Sequence, residues 1–272
     1  AEDKKFYPEL SKLPVIGGPF IPNIEAMLNV RPDIVLCYAH LPNPDTLEDK
    51  LEGTNIPVVR LSCYALDTLS DDIRKLGYLL DKKDEAEEFI DWNEGYISTI
   101  KSRTAGLSED KKPRVLFLRY VKEATLTKRM PGHHFCMMAG GINIAADLPG
   151  KRPHYDVEWV IEQDPDVIVY VISSSRASCG YEEDDPSELR EARDEIMNDP
   201  VWSSITAVKN ERVYLLSNEL WSEPDYIVGV AYLAKWFHPE LFEDLDPKVI
   251  NTEYLERFQG VPYRGVWVYP PF

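Results

Sequence analysis

Asn23-Ile24-Glu25-Ala26-Met27-Leu28 leads into Pro32-Asp33-Ile34-Val35-Leu36, and Asp156-Val157-Glu158-Trp159-Val160-Ile161 leads into Pro165-Asp166-Val167-Ile168-Val169. The second stretch repeats the first 133 positions later, with Glu, Pro and Asp in register. Each copy opens on a polar residue and runs through a short amphipathic helix. Each then breaks at Pro-Asp and continues as an apolar β-branched run. Helix, turn and strand written twice predict two lobes of similar build, with a cleft between them.

Around this repeat the chain reads as alternating helices and strands. Strands are predicted at 34–38 and at Ile56-Pro57-Val58-Val59-Arg60-Leu61, with a helix over 45–53 between them, which is a parallel βαβ unit. A helix over 70–80 follows. Asp84 and Glu87 have the spacing of an N-cap and its reciprocal partner, opening a helix over 84–104 with Phe89, Ile90, Tyr96, Ile97 and Ile100 at helical spacing. Such a helix is about 30 Å long and can bridge two lobes. The second half restarts with the strand Arg114–Tyr120, then a loop holding Pro131-Gly132-His133-His134 and a helix over 134–139. The repeat strand over 167–172, a helix over 187–198, the strand Arg212–Leu216 and a helix over 224–237 complete it. The fold class is α/β: two lobes with parallel-sheet cores and flanking helices, joined by one long helix. The expected domains are an N-terminal lobe over 1–83, a bridging helix over 84–106 and a C-terminal lobe over 107–272.

Composition narrows the function. The 272 residues are 44% hydrophobic and 28% charged, as in a globular protein, and carry a formal charge of −17. That charge, without clustered Lys and Arg, argues against nucleic acid and anionic membrane surfaces as partners. No apolar run approaches the ~20 residues of a membrane span. A start at Ala1 without Met suggests a processed or trimmed product. Cys37, Cys63, Cys136 and Cys179 have no metal-finger spacing. Two readings stay open for them: a disulfide between the strand ends at Cys37 and Cys63 in an exported protein, or four free thiols.

In open parallel sheets ligands sit outside the carboxyl ends of the strands. The candidates there are Tyr38, His40, Tyr64, Arg119, Tyr120, Arg176, Glu219 and Trp221, with His133 and His134 on the loop after the first strand of the second lobe. Tyr, His and carboxylate suit a hard or borderline metal or the open axial site of a chelate, Arg suits a carboxylate or hydroxamate oxygen, and Tyr or Trp suits the face of a macrocycle. His133 and His134 are the candidate metal contacts. Trp221 follows a strand and precedes Pro224, which predicts a side chain facing the cleft. Each candidate also has a plainer reading: a solvated turn for the His pair, strand-end caps for the tyrosines, and a surface residue for Arg176.

Several segments together resemble the substrate-binding proteins of ABC importers for iron–siderophores, haem and cobalamin. They are Gly17-Gly18 with Pro22-Asn23-Ile24-Glu25, Arg31–Leu36, Ile56–Val59, Ala139–Ala145, Asp164–Val169, Val208–Tyr214 and His238–Phe242. The resemblance covers about residues 12–245 and rests on their order and spacing. It implies a ligand held between two α/β lobes, and an iron chelate, haem or corrinoid as transported cargo with no intrinsic cofactor. It further implies a monomer, periplasmic or extracellular, anchored to the membrane through a segment outside this chain. Its partner would be an ABC transporter permease, whose arginine pockets receive one surface glutamate per lobe. Glu25 and Glu158 fall on those positions, where a helix start favours a carboxylate that stays free to pair with Arg. Relatives usually begin with a further strand and helix, so the first lobe is expected to lack its usual initial strand.

Two alternatives remain. One is capture of free Zn or Mn, for which His40, His133 and Glu219 would have to converge. The other is a chelatase-like or nitrogenase-like metalloenzyme component. Against an enzyme, the chain has no GxxxxGK, HExxH, GxSxG or iron–sulfur cysteine spacing.

Overall fold

The computed structural model describes residues 9–18, 20–63, 65–119 and 124–271. The chain forms two compact units that divide between Ala86 and Glu87.

In the first unit, α1 spans Ile24–Val30 and is capped by Asn23, whose side chain accepts a 3.0 Å hydrogen bond from the Ala26 N–H. Arg31 ends it in the left-handed region at φ 50°. Strand β1, Val35–Tyr38, follows, then α2, Pro44–Leu51, and β2, Val58–Leu61. The two strands pair in parallel, Val35 with Val58 through Tyr38 with Leu61. Among the described residues they form a two-stranded sheet. Met27, Val35, Leu47 and Leu51 make the buried cluster that ties α1 and α2 to β1. Helix α3, Leu69–Leu79, closes the unit, with the Asp72 carboxylate accepting from Ser62 N–H at 2.6 Å just past β2. Gly77 is required here, because a Cβ would stand 2.6 Å from that of Ala86.

Helix α4, Lys83–Thr104, carries the chain into the second unit. Asp84 lies in its first turn rather than at the cap, since the Lys82 carbonyl already accepts from Ala86 N–H. Within the second unit Trp92 stacks on Tyr254, and Glu253 Oε2 accepts from Trp92 Nε1 and Tyr96 Oη, both at 2.9 Å.

The second unit is built on β3 (Arg114–Arg119), α5 (Pro131–Met138), β4 (Ile142–Asn143), α6 (Val157–Gln163) and β5 (Val167–Ile172). It continues with α7 (Ser187–Met197), α8 (Thr206–Lys209), β6 (Val213–Ser217), α9 (Glu219–Ser222), α10 (Tyr226–Phe237), α11 (Pro247–Glu253) and β7 (Val268–Tyr269). Its sheet order is β4-β3-β5-β6-β7, parallel except for the antiparallel edge strand β7. All six residues of β5 are buried, as the unbroken apolar run requires of a central strand covered on both faces.

The repeat is structural as well as textual. Helix α6 has seven residues like α1, and Asp164 ends it at φ 39°, the counterpart of Arg31 133 positions on. The burial of 24–29 and of 157–162 follows the same order: intermediate, exposed, intermediate, buried, exposed, exposed. All four cysteines are free thiols, and across the β1–β2 ladder Cys37 stands opposite Arg60 rather than Cys63.

Candidate functional site

The carboxyl end of β1 carries Tyr38 and His40, both exposed. The Tyr38 carbonyl accepts from Leu41 N–H and from Arg60 Nη1 at 3.2 Å each. Arg60 is itself committed, since its Nε and Nη2 donate to the two Glu48 oxygens at 2.6 Å. Beside these residues lies an apolar cavity of about 380 Å³ lined by Met27, Val35, Leu36, Leu47, Leu61 and Leu76, with Tyr38, Cys37 and Cys63 on its wall. Burial, and after it the Asp72 charge, pushes the Cys63 thiol up to about 11, so it stays protonated at neutral pH. Tyr64 and Tyr120 lie outside the described residues.

In the second unit β3 delivers Arg119 to its carboxyl end, where only 5% of the residue is exposed. A guanidinium does not give up its proton, so burial at a strand end in an acidic chain puts a fixed positive charge where ligands of such sheets bind. His133 and His134 belong to the first turn of α5, not to a loop, because Pro131 can start a helix at no hydrogen-bonding cost. Their rings meet edge to face at 5.5 Å. Burial, and next the neighbouring His134, lowers the His133 pKa, which keeps this imidazole neutral. Its Nδ1 is buried with no hydrogen-bond partner among the described residues. After β5, the Ser173 carbonyl accepts from Arg176 N–H at 2.8 Å, and the Ser173 and Ser175 hydroxyls are 2.8 Å apart.

Trp221 differs from the sequence expectation of a side chain facing the cleft, whereas Arg176 takes the surface position that the sequence also allowed. The Arg176 side chain is pulled onto α7, where Nη2 pairs with Glu195 Oε2 at 2.7 Å. The Trp221 side chain is 5% exposed and packs in the unit's core, 5.4 Å from Phe117 and 5.1 Å from Phe135 by ring centroid. Gly132 makes the room, since a Cβ there would come within 2.1 Å of the indole. Glu219 is half-buried, and its Oε2 accepts from Tyr181 N–H at 3.3 Å.

Asp225 escaped the sequence reading. It precedes α10 and is 4% exposed, and burial raises its pKa far above the carboxylate range, with the Glu223 and Glu219 charges adding to the effect. The segment Ser222-Glu223-Pro224-Asp225 before an apolar run signals a helix start but carries no sign of this burial. A second cavity, about 580 Å³, is lined by Tyr232, Lys235, Asp246, Lys248, Tyr263 and Trp267 among others, and none of the candidate residues borders it. Among the described residues no group of three or more His, Cys, Asp or Glu side chains is placed to hold a metal ion.

Glu25 and Glu158 are both exposed in the first turns of α1 and α6. Among the described residues neither forms an ion pair.

Comparison with known proteins agrees with this architecture. The TroA-like periplasmic binding protein FepB from Veillonella parvula superposes with a TM-score of 0.86 at 24% identity, covering 97% of this chain and 80% of that one. In sequence, the molybdate-binding protein MolA of Haemophilus influenzae is 24% identical over 94% of this chain and 75% of its own length. The haem-uptake protein IsdE of Staphylococcus aureus is 24% identical over 74% of this chain and 65% of its own length. The α/β build of two units with parallel-sheet cores is thus that of solved periplasmic binding proteins. The sequence profile of one family matches residues 1–220, and the chain therefore belongs to the periplasmic binding protein family.

Proposed function

We propose that this chain is the substrate-binding component of an ABC importer, working in the periplasm or at the outer cell surface. It carries a metal complex that presents anionic oxygen groups, an iron–siderophore before haem, a corrinoid or a metal oxyanion, and passes it to a membrane permease. Family membership supports the transport role, and the similar proteins are named for molybdate, iron uptake and haem. The observation that carries the ligand class is Arg119, a buried guanidinium at the carboxyl end of β3. A desolvated, permanently charged fork selects oxygen anions and holds them by charge-assisted hydrogen bonds. His133, His134, Tyr38, His40 and Glu219 are the further ligand contacts in this reading, together with Tyr64 and Tyr120 from outside the described residues. Arg176 and Trp221 act indirectly, through the ion pair to α7 and through the core packing of the second unit. Glu25 and Glu158 dock on the permease.

The test is a fluorescence titration with ferric siderophores, haem, a corrinoid and molybdate in parallel, on wild type and Arg119→Ala. One of these ligands should quench the intrinsic tryptophan emission, and R119A should weaken it by two orders of magnitude or more, about 3 kcal/mol for a buried charged contact. Equal affinity of wild type and R119A would remove the anionic ligand. Silence toward all four would remove the metal-complex reading. A bare-ion carrier needs about three converging ligands, and tight Zn or Mn binding without any response to chelates would favour it.

A further inference from the structure

The two copies of the repeat have diverged over most of their helical surface, with Ala26 against Trp159, Asn29 against Glu162 and Val30 against Gln163. Two exposed positions have not. One is the glutamate, Glu25 and Glu158. The other, three residues on, is a large branched apolar residue, Leu28 and Ile161, and each is 38% exposed. The helix core between them is accounted for, since Met27 and Val160 are 3% and 0% exposed and fill the cores of their own units. Residues three apart on a helix are surface neighbours, with Cβ atoms roughly 5–6 Å apart. Each unit therefore shows solvent the same pair, a carboxylate without an ion-pair partner among the described residues beside a partly exposed apolar side chain, on a helix that ends in the same left-handed turn.

Folding explains the buried positions of a duplicated helix, not the exposed ones. Scattered surface apolar residues are ordinary, but the same class at the same exposure and the same offset from the same acid, in two otherwise diverged copies, indicates one constraint acting twice. A hydrogen-bonding carboxylate next to an apolar knob is the make-up of a protein–protein contact: the charge orients the partner, and desolvation of the knob supplies affinity.

We infer that Leu28 and Ile161 are the apolar half of the permease-docking surface, each working with its glutamate. The partner is a membrane protein that presents, twice, an Arg or Lys beside an apolar pocket. This inference rests on the transport reading above and adds a second kind of contact to it.

The experiment measures binding of the full chain to its cognate importer in lipid nanodiscs, for wild type, E25R/E158R, L28Q/I161Q and the control V201Q/V249Q. The control residues are 48% and 50% exposed and lie outside the repeat. L28Q/I161Q should weaken binding by about tenfold or more and leave the salt dependence of binding as in wild type. E25R/E158R should abolish binding, the control should stay within about twofold, and thermal unfolding should be alike in all four. Binding of L28Q/I161Q within twofold of wild type, with E25R/E158R inactive, would overturn this inference and leave the transport reading standing. Normal binding by both variants would overturn the transport reading itself.

Discussion

Strand β1 and strand β5 are the same element in two settings. Both follow a seven-residue helix and a left-handed turn, and both pair in parallel with the next strand, β2 or β6. Strand β5 has β3 on its other edge, so Val169 is opposite Phe117 and fully buried. Among the described residues β1 has no second neighbour, and Leu36, the counterpart of Val169, is 43% exposed beside the 380 Å³ apolar cavity. Local sequence makes the helix, the turn and the strand. Which face of that strand is core depends on what the rest of the fold puts against it.

The largest effect tests this contrast directly. Val169→Asp places a carboxylate with no partner on the central strand of a sheet covered on both faces, and is expected to cost more than ~4 kcal/mol. Leu36→Asp, at the same place in the other copy, should cost no more than ~1 kcal/mol because water still reaches it. Urea denaturation followed by circular dichroism measures both, and equal costs would mean that the edge of β1 is closed in solution.

The next effect concerns a lock within the second unit. Glu253 receives two charge-assisted hydrogen bonds from α4, and Glu253→Ala should lower stability by ~2–3 kcal/mol. Tyr96 is pushed up to about 12, by burial first and by the Glu253 hydrogen bond second. In E253A an ultraviolet phenolate titration should find its pKa lowered but still above the usual ~10, since burial remains. An unchanged Tyr96 would show that the hydrogen bond does not form.

A smaller effect separates the two Pro-Asp turns. The Asp166 carboxylate accepts from Arg114 N–H at 2.8 Å and fastens the start of β3 to β5. Asp166→Ala should cost ~1 kcal/mol, whereas Asp33→Ala, where no β3 counterpart is described, should stay within ~0.5 kcal/mol of wild type. A large cost at Asp33 would reveal a partner on that side of β1.

These contrasts mark how far the sequence was legible. Period and punctuation are local, so the repeat, the helices flanking it and the long helix α4 could be read from spacing and Pro-Asp breaks. The edge strand β7 could not, because two residues pairing antiparallel with β6 leave no periodic signal. Position at the carboxyl end of a strand was also legible, and it put Arg119, His133 and Glu219 on the candidate list. Side-chain direction was not. Trp221 turns under the sheet because Gly132 opens a slot for it, and Arg176 turns outward because Glu195 lies one helix away. Both outcomes depend on residues distant in sequence, as does the burial of Asp225.

The smallest effect also changes sign between the copies. Arg31 and Asp164 hold equivalent left-handed positions, which cost a non-glycine residue ~1 kcal/mol. Among the described residues the Arg31 side chain makes no hydrogen bond or ion pair that offsets that strain, so Arg31→Gly should stabilise the protein, by about 0.5 kcal/mol after the added freedom of the unfolded chain. Asp164 accepts from Thr206 N–H at 2.7 Å and from Thr206 Oγ1 at 2.8 Å, so Asp164→Gly should destabilise by ~1 kcal/mol despite relieving the same strain. Those Thr206 bonds lower the Asp164 pKa, so its contribution is complete above the unfolded carboxylate value of ~3.9 and is lost as the pH falls through the lower folded value. The gap between D164G and wild type should therefore be constant near neutrality and narrow in acid, while the R31G gain stays level with pH. Denaturant midpoints measured across that range read both curves. If both glycine variants were stabilising, with parallel pH profiles, the Thr206 contact would contribute nothing and the two turns would be equivalent in energy as well as in shape.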